Sequence, residues 1–310
     1  MNLFEKSVLV TGSAGFLGRH LCRALESRGA VVHGCRSAEY DLMKPGHAHG
    51  LMNKIKPQVV IHAAARVGGI GANSKRPYAF ARDNLLMGIN TLDAAIANNV
   101  EKFVLIGTTC SYPENCPVPF REDMLWNGSA EPTNAPYGHA KRILMEMVAA
   151  AVNEGRLNCG TTAIMANLYG PGDSFDLETS HVIPAIIRKV CESKDHGRNE
   201  VELWGSGRAT RDFLFVRDAA EGICRVCEDW HVPYPINLGT RNEHTIRSVA
   251  DLVSEIVGFD GDIIWNGNGL DGQRRRQLDT QRAWDSLKWE AKTWILDGLR
   301  ETVKWWREHQ

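Results

Sequence analysis

A glycine-rich turn near the start of the chain constrains the fold more than any other feature. Ser7-Val8-Leu9-Val10 is a short apolar run, which is typical of a buried parallel strand. A helical pattern of apolar residues begins about eight residues later. Small residues between a strand and a helix let backbone N–H groups approach a pyrophosphate. The pattern predicts a dinucleotide site, with a purely structural turn as the alternative, formed by Gly12, Ser13, Ala14, Gly15, Phe16, Leu17 and Gly18.

Strand-like and helical patterns then alternate along the chain. Strands are predicted at residues 30–34, 58–65, 102–106 and 161–165, a glycine-rich loop at residues 66–73, and a long helix at residues 77–98. This alternation predicts an α/β fold with a Rossmann-type doubly wound parallel sheet. Beyond Gly172 the alternation breaks into shorter strands and helices, which predicts a smaller C-terminal α/β lobe for substrate.

The predicted division of the chain is discontinuous. Residues 1–170 would form the nucleotide-binding domain, with segments near residues 212–240 returning to it. Residues 171–310 would form most of the substrate lobe. Near residues 235–238 the pattern predicts a strand in the main sheet, and Thr245 is expected to cap a helix over residues 246–257.

The residues after the second predicted strand indicate which dinucleotide binds. Rossmann folds that hold the ribose 2′-hydroxyl of NAD place an acidic residue there, whereas an arginine suits a 2′-phosphate. Arg36 stands at this position, so the sequence favours NADP. Asp41 and Leu42 lie where the fold could touch the adenine, although Asp41 could instead cap a helix.

Tyr137 and Lys141 are four residues apart, which places them on one face of a helix. A phenol ionises near pH ~10, and a neighbouring cation favours the phenolate. The pair could therefore pass a proton to or from a substrate oxygen. Taken alone, this spacing often arises by chance on a helix.

Composition excludes several classes of function. The net charge of -1 provides no global field for nucleic acid or an anionic membrane. No apolar run approaches the roughly 18 residues of a membrane span, and the first residues lack the pattern of a signal peptide. The 8 cysteines are expected to be reduced thiols in a cytoplasmic protein. Cys224 and Cys227 form a C-x-x-C without a second pair, so no metal site is predicted.

Together these motifs resemble the extended short-chain dehydrogenase/reductases, many of which act on nucleotide sugars. Within that family the chain is most similar to the GDP-4-keto-6-deoxy-D-mannose 3,5-epimerase/4-reductases, the GDP-L-fucose synthases. The similarity covers essentially the whole chain. The segments that carry it are His62-Ala63-Ala64-Ala65-Arg66-Val67-Gly68-Gly69-Ile70-Gly71-Ala72-Asn73, Glu131-Pro132-Thr133-Asn134-Ala135-Pro136-Tyr137, Asn167-Leu168-Tyr169-Gly170-Pro171-Gly172-Asp173, Thr179-Ser180-His181-Val182-Ile183-Pro184-Ala185 and Trp204-Gly205-Ser206-Gly207.

The resemblance implies a role for each matching residue. Tyr137 would donate a proton, with Lys141 as its partner and a ribose ligand, and Thr108 would replace the usual serine beside them. Cys110 and His181 match the pair assigned to epimerisation. Further cofactor contacts are implied for Ala63, Ala64, Ala65, Asn167, Leu168 and His181, and substrate contacts for Lys189, Trp204, Arg211, Asp271 and Arg276. The chain departs from the family at Arg276 and Arg66, which replace lysines, and at Ser111, which replaces an apolar residue.

The implied reaction joins two kinds of chemistry on one sugar. A ketone at C4 acidifies the protons at C3 and C5, so inversion there needs a base and an acid. A cysteine thiol that a cation can activate and a histidine suit these roles, although Cys110 could be a packed thiol and His181 a helix cap. NADPH would then reduce C4. The resemblance also implies a homodimer formed by the helices around residues 77–98 and 137–153.

Three functions remain open at this point. The first is the epimerase/reductase that makes GDP-L-fucose. The second is a related epimerase, reductase or both, acting on another nucleotide-linked 4-ketosugar. The third is an NADPH-binding regulator without catalysis, against which the presence of both Tyr137 and Lys141 argues.

Overall fold

The computed structural model describes residues 1–267 and 272–310, and strands and helices alternate through its first half. The predicted strands are present with small shifts at their ends. The elements are β1 (Ser7–Thr11), α1 (Phe16–Glu26), β2 (Val31–Cys35), α2 (Pro45–Ile55), β3 (Val59–His62), α3 (Ile70–Lys75), α4 (Pro77–Ala97), β4 (Lys102–Thr108), α5 (Ala135–Asn153) and β5 (Gly160–Met165).

The second half contains shorter strands between helices. Its elements are β6 (Asn167–Tyr169), α6 (Val182–Asp195), β7 (Glu200–Leu203), β8 (Thr210–Phe215), α7 (Val216–Asp229), β9 (Ile236–Leu238), β10 (Glu243–Thr245), α8 (Ile246–Val257), β11 (Asp262–Trp265), β12 (Arg275–Arg276), α9 (Gln281–Leu287) and α10 (Ile295–Glu308). The Thr245 hydroxyl accepts a hydrogen bond from the Ser248 N–H at 2.9 Å, which confirms the predicted cap of α8.

Within the described residues, six parallel strands form the main sheet in the order β2-β1-β3-β4-β5-β9. Helices α1 and α7 pack together, as do α2, α4 and α5. The predicted doubly wound α/β fold with a smaller second lobe is therefore confirmed. A further sheet in the described part has the order β10-β8-β12, with β6 also paired to β8, and β11 pairs with β7. The assignment of residues 1–170 and 171–310 to two domains stays a prediction.

Two local predictions were wrong. The segment 66–73 is not wholly a loop, because α3 begins at Ile70. The strand predicted over residues 58–65 ends at His62, because Ala63–Ala65 leave the sheet at its carboxyl edge. Helix α2 was not predicted, because its two glycines weaken the helical signal of its sequence.

Two apolar cores hold these layers together. Val8, Leu9 and Val10 of β1 are fully buried in the first core, beneath the main sheet's helices. The second core gathers Ile187 of α6 and Phe215 of β8 against Leu299 of α10. Parallel pairing brings the carboxyl ends of β1, β3, β4 and β5 to one edge, since Thr11 is level with His62 and Thr108 with Met165. That edge is where an open α/β sheet binds its ligands.

Candidate active site

A cavity of about 1210 Å³ lies at the carboxyl edge of the main sheet and extends to α6 and β8. It brings together most of the residues singled out from the sequence. Those that line it are Gly12, Ala14, Gly15, Phe16, Leu17, Gly18, Arg36, Asp41, Leu42, Ala63, Ala64, Ala65, Thr108, Cys110, Tyr137, Lys141, Asn167, Leu168, His181, Lys189, Trp204, Arg211 and Arg276. Ser13 is not a lining residue; its hydroxyl donates to the Cys35 carbonyl at 3.3 Å. Asp271 lies outside the described residues.

The glycine turn forms a cradle that only bare backbone can build. Gly12 has φ +70°, and a Cβ placed there would lie 2.8 Å from the Ala64 Cα. A Cβ on Gly18 would lie 2.1 Å from the Gly12 carbonyl oxygen. Gly15 is the N-cap of α1 and carries no side chain to occupy its first N–H groups. The cradle therefore fits the pyrophosphate of a dinucleotide at a helix N-terminus.

A buried hydrogen-bond chain sets the distance between this cradle and the next loop. The Thr11 hydroxyl lies 3.0 Å from His62 Nδ1 and accepts the Ala64 N–H at 3.1 Å. Burial lowers the pKa of His62 to about 3, so the ring is neutral and acts as a spacer between the strands.

Arg36 and Asp41 lie at the far end of the cavity. Arg36 directly follows β2 and its side chain is exposed at the cavity rim. The Asp41 carboxylate accepts the Met43 N–H at 3.1 Å, whereas α2 has Lys44 as its N-cap. The alternative that Asp41 caps a helix is therefore wrong. Leu42 is buried, with 5% of its surface exposed.

Tyr137 and Lys141 are both buried on the first turns of α5. The Lys141 ammonium donates to the Ile106 carbonyl at 3.0 Å, and burial lowers its pKa to about 8. Desolvation, followed by the charge of Cys110, raises the pKa of Tyr137, and a hydrogen bond with Thr108 opposes these effects. The expectation that Lys141 favours the Tyr137 phenolate was wrong for the protein without bound ligands. Desolvation of the buried phenol dominates the shift in its pKa.

Cys110 and His181 face the same cavity from opposite lobes. Cys110 lies on the 3₁₀ turn Thr109–Ser111 after β4, and its sulfur accepts a hydrogen bond from Arg276 Nη1 at 3.3 Å. His181 is the N-cap residue of α6, yet its side chain makes no capping bond. The ring is accessible through the cavity, whose walls lower its pKa by desolvation.

The part of the cavity formed by α6, β8, β12 and the residue after β7 is lined with cations and an indole. The Lys189 ammonium lies 5.0 Å from the centre of the Trp204 ring and donates to the Glu202 carbonyl at 3.0 Å. Arg211 and Arg276 are level with each other on the paired strands β8 and β12. Guanidinium groups bind phosphates in a bidentate manner, so this wall fits a diphosphate.

Several supporting residues were missed as individual predictions. Glu131 accepts hydrogen bonds from the Thr133 N–H at 3.1 Å and from Asn134 Nδ2 at 3.0 Å, which shapes the loop before α5. Asn84 donates to the Arg66 carbonyl at 3.0 Å and to the Phe80 carbonyl at 2.7 Å, anchoring the loop after β3. In the sequence, Glu131 was only one polar residue in a segment that carries the family resemblance, and Asn84 was only a polar residue within a predicted helix.

Among residues 1–267 and 272–310, no helix combines the length and apolar character that a bilayer crossing requires. The same residues contain no group of three or more His, Cys, Asp or Glu side chains arranged to hold a metal ion. Cys224 and Cys227 are buried free thiols on α7.

Comparison with known proteins agrees with this architecture. Residues 8–239 match the model of the NAD dependent epimerase/dehydratase family. The probable GDP-L-fucose synthase 1 of Oryza sativa subsp. japonica is 37% identical over 307 residues, covering 97% of this chain and 92% of the relative. The GDP-L-colitose synthase of Yersinia pseudotuberculosis is 33% identical over 299 residues, covering 96% and 97%. The structure of a GDP-mannoheptose C4 reductase from Campylobacter jejuni with NADP bound is 26% identical, with a TM-score of 0.87 and 99% of both chains covered.

We predict that Lys141→Met raises the free energy of unfolding of the cofactor-free protein at pH 7. The Lys141 pKa is about 8 when folded against an ordinary 10.5, so between these values the unfolded chain binds more protons and wild-type stability rises with pH. The difference in free energy of unfolding between Lys141→Met and the wild type should therefore be roughly 2–3 kcal/mol smaller at pH 10 than at pH 7. Urea unfolding of both proteins at the two pH values measures this; a pH-independent difference would show that Lys141 is not desolvated.

Proposed function

The chain belongs to the NAD dependent epimerase/dehydratase family and is an NAD(P)-dependent epimerase/reductase of nucleotide sugars, and we propose that it converts GDP-4-keto-6-deoxy-D-mannose to GDP-L-fucose. In this reaction C3 and C5 of the sugar are epimerised and C4 is reduced with NADPH. One observation carries the proposal: Cys110 and His181 line the same cavity as Tyr137 and Lys141. A simple reductase needs only the second pair.

The epimerase half uses groups on two walls of the cavity. Cys110 removes the proton from C3 or C5. A thiolate is a strong enough base for this step because the C4 ketone acidifies both protons. His181 faces the sugar from α6 and returns a proton from a ring nitrogen. Because enclosure lowers the pKa of His181, its protonated form is a stronger acid than an ordinary imidazolium. The negative charge of a bound diphosphate offsets part of that desolvation.

The reductase half uses the buried tyrosine in its neutral form. The raised pKa of Tyr137 keeps the phenol protonated near neutral pH, so it can donate that proton to the C4 oxygen. Lys141 is close to half-protonated at a slightly alkaline pH, which suits a group that replaces the lost proton. When bound, NADPH supplies the hydride for C4. The cradle at Gly12–Gly18 and the side chains of Asn167 and Leu168 would position the dinucleotide.

The proposed substrate class rests on the diphosphate wall and on the relatives. Arg211 and Arg276 would bind the diphosphate, while Lys189 and Trp204 present a cation and an exposed aromatic face beside it. The synthases of GDP-L-fucose and GDP-L-colitose are relatives that cover nearly the whole chain. These features favour a GDP-linked 4-keto-6-deoxyhexose.

A second candidate is a reductase, with or without epimerase activity, of another GDP-linked 4-ketosugar. The observation that favours it is the likeness to a GDP-mannoheptose C4 reductase. Arg66, in the loop after β3, also lines the cavity, and its Nε lies 2.7 Å from the buried Asp83 carboxylate.

Two structural proposals accompany the reaction. Residues 1–170, with the returning segments near 212–240, would bind the dinucleotide, and residues 171–310 would supply most of the sugar contacts. We further propose a homodimer formed through the packed pair α4 and α5. Ile143 on α5 is 49% exposed, which leaves apolar surface for a partner helix.

Light scattering at micromolar concentration should give about twice the chain mass of 34.5 kDa. Ile143→Asp should shift the protein toward the monomer, because it places a carboxylate in the proposed interface. Val232→Asp is the matched control, since Val232 is 39% exposed and lies outside α4 and α5. A wild-type mass of one chain would reject the dimer.

Arg36 should set the preference for NADPH over NADH. Because a guanidinium–phosphate hydrogen bond contributes about 1.5–3 kcal/mol, Arg36→Ala should narrow the preference by on the order of tenfold or more. Fluorescence titration with both cofactors measures the ratio. Lys54→Ala on α2 is a control for loss of an exposed charge, because Lys54 does not line the cavity. Equal affinity of the wild-type protein for NADPH and NADH would refute the proposed preference for NADP.

The two half-reactions should separate by mutation. With GDP-4-keto-6-deoxy-D-mannose in deuterated water, Tyr137→Phe should reduce NADPH oxidation by about 100-fold or more while C3 and C5 exchange continues. Cys110→Ser should instead abolish exchange and yield a 4-hydroxy product with unchanged C3 and C5, because a serine hydroxyl is too weakly acidic to replace a thiolate. Product NMR reports both outcomes.

Cys22→Ser on α1 is the control for removal of a thiol remote from the cavity. Full deuterium incorporation by Cys110→Ser at both carbons would make Cys110 a packed thiol and would refute the epimerase half. The same assay with dTDP-, UDP- and CDP-linked 4-keto-6-deoxysugars tests which nucleotide base the protein prefers. Turnover of one of these in preference to the GDP-sugar would refute the proposed substrate.

A further inference from the structure

A buried ion pair lies directly behind the cavity thiol. Arg276 and Glu131 are 7% and 6% exposed, and Arg276 Nη2 lies 3.6 Å from Glu131 Oε2. Arg276 Nη1 donates to the Cys110 sulfur at 3.3 Å, and its Nε donates to Gln273 Oε1 at 2.8 Å. The guanidinium is thus held from three sides with one edge against the sulfur.

The carboxylate of Glu131 forms an ion pair with Arg276, while its hydrogen bonds come from other donors. It accepts hydrogen bonds from the Thr133 N–H, the Thr133 hydroxyl and Asn134 Nδ2, which fix its position beside the arginine. Its separation from Arg276 is also longer than a direct charge-assisted hydrogen bond. A buried guanidinium stays charged and requires compensation. Glu131 supplies a negative charge on one side, and a negatively charged sulfur at Cys110 would strengthen the hydrogen bond from Nη1 on the other.

The backbone around the sulfur is also fixed. Arg142 Nε donates to the Ser111 carbonyl and its Nη1 donates to the Gly128 carbonyl, which clamps the turn that carries Cys110. A Cβ on Gly138 would lie 2.2 Å from the Cys110 carbonyl oxygen, so α5 packs directly on this turn. The backbone of Cys110 therefore cannot move far from Arg276 without disturbing the helix that carries Tyr137.

We propose that Arg276 is a positioning residue that holds Cys110 as a thiolate aimed at the sugar, and that Glu131 fixes Arg276 in place. The inference rests on the proposed function, in which Cys110 is the base. When the C3–H or C5–H bond breaks, its proton forms an S–H bond and its electron pair is delocalised onto the C4 oxygen. Arg276 thereby stabilises the sulfur anion before the transfer, a role in addition to the diphosphate contact proposed above.

Alkylation by iodoacetamide tests this in the full-length protein without any sugar. The rate at Cys110, followed by peptide mass spectrometry at pH 7, should fall on the order of tenfold in Arg276→Gln, because a charge-assisted hydrogen bond is lost. Arg276→Lys keeps a cation and should remain within about threefold of wild type. A purely steric role for Arg276 would affect both variants alike. Arg275→Gln is the matched control, because Arg275 is exposed and pairs with Glu243.

Cys22 and Cys159 are partly exposed elsewhere and report general loosening of the fold. An unchanged or faster rate at Cys110 in Arg276→Gln, with Cys22 and Cys159 unaffected, would overturn the proposal. If Arg276→Gln does not fold, Arg276→Lys decides: a rate within threefold of wild type supports the proposal, and a tenfold loss overturns it. Absence of deuterium exchange by the wild type with every sugar would refute the proposed function and leave the alkylation result unaffected.

Discussion

The close approach of the first turn to the loop after β3 is the constraint on which the cavity depends. No Cβ fits at Gly12 against Ala64, or at Gly18 against the Gly12 carbonyl. The Thr11 hydroxyl joins the same two segments by contacting His62 and Ala64. Because this contact is made by backbone and a buried hydroxyl, a side chain at either glycine would displace the cradle, and the loops proposed to hold the sugar are placed relative to it.

A second contact links the two kinds of chemistry. The turn carrying Cys110 packs on α5 at Gly138, one residue after Tyr137. Glu131 then connects the loop that leads into α5 with Arg276 on β12. The proton-transfer groups proposed for epimerisation and for reduction thus share one packed unit, although they would act on different carbons of the sugar.

Desolvation determines how the site residues ionise, even at His181, whose ring is exposed to the cavity. Tyr137, Lys141 and His181 all have pKa values displaced toward their neutral forms, and desolvation is the largest cause in each case. Residue type and spacing alone would assign a phenolate to Tyr137, a fully protonated ammonium to Lys141 and an ordinary imidazole to His181. In this cavity, an anionic ligand would favour the charged forms of Lys141 and His181 and the neutral form of Tyr137.

The sequence by itself determined the doubly wound sheet, the cradle at Gly12–Gly18 and the helical pairing of Tyr137 with Lys141. These follow from local periodicity and from glycines at positions that few other residue types tolerate, such as Gly12 with φ +70°. Resemblance added Cys110 and His181, but local pattern could not, because a lone cysteine and a helix-starting histidine are common. Only the tertiary structure brought Arg276 to the Cys110 sulfur, across 166 residues of chain. It alone also set the pKa shifts, since burial depends on which distant segments close over a side chain.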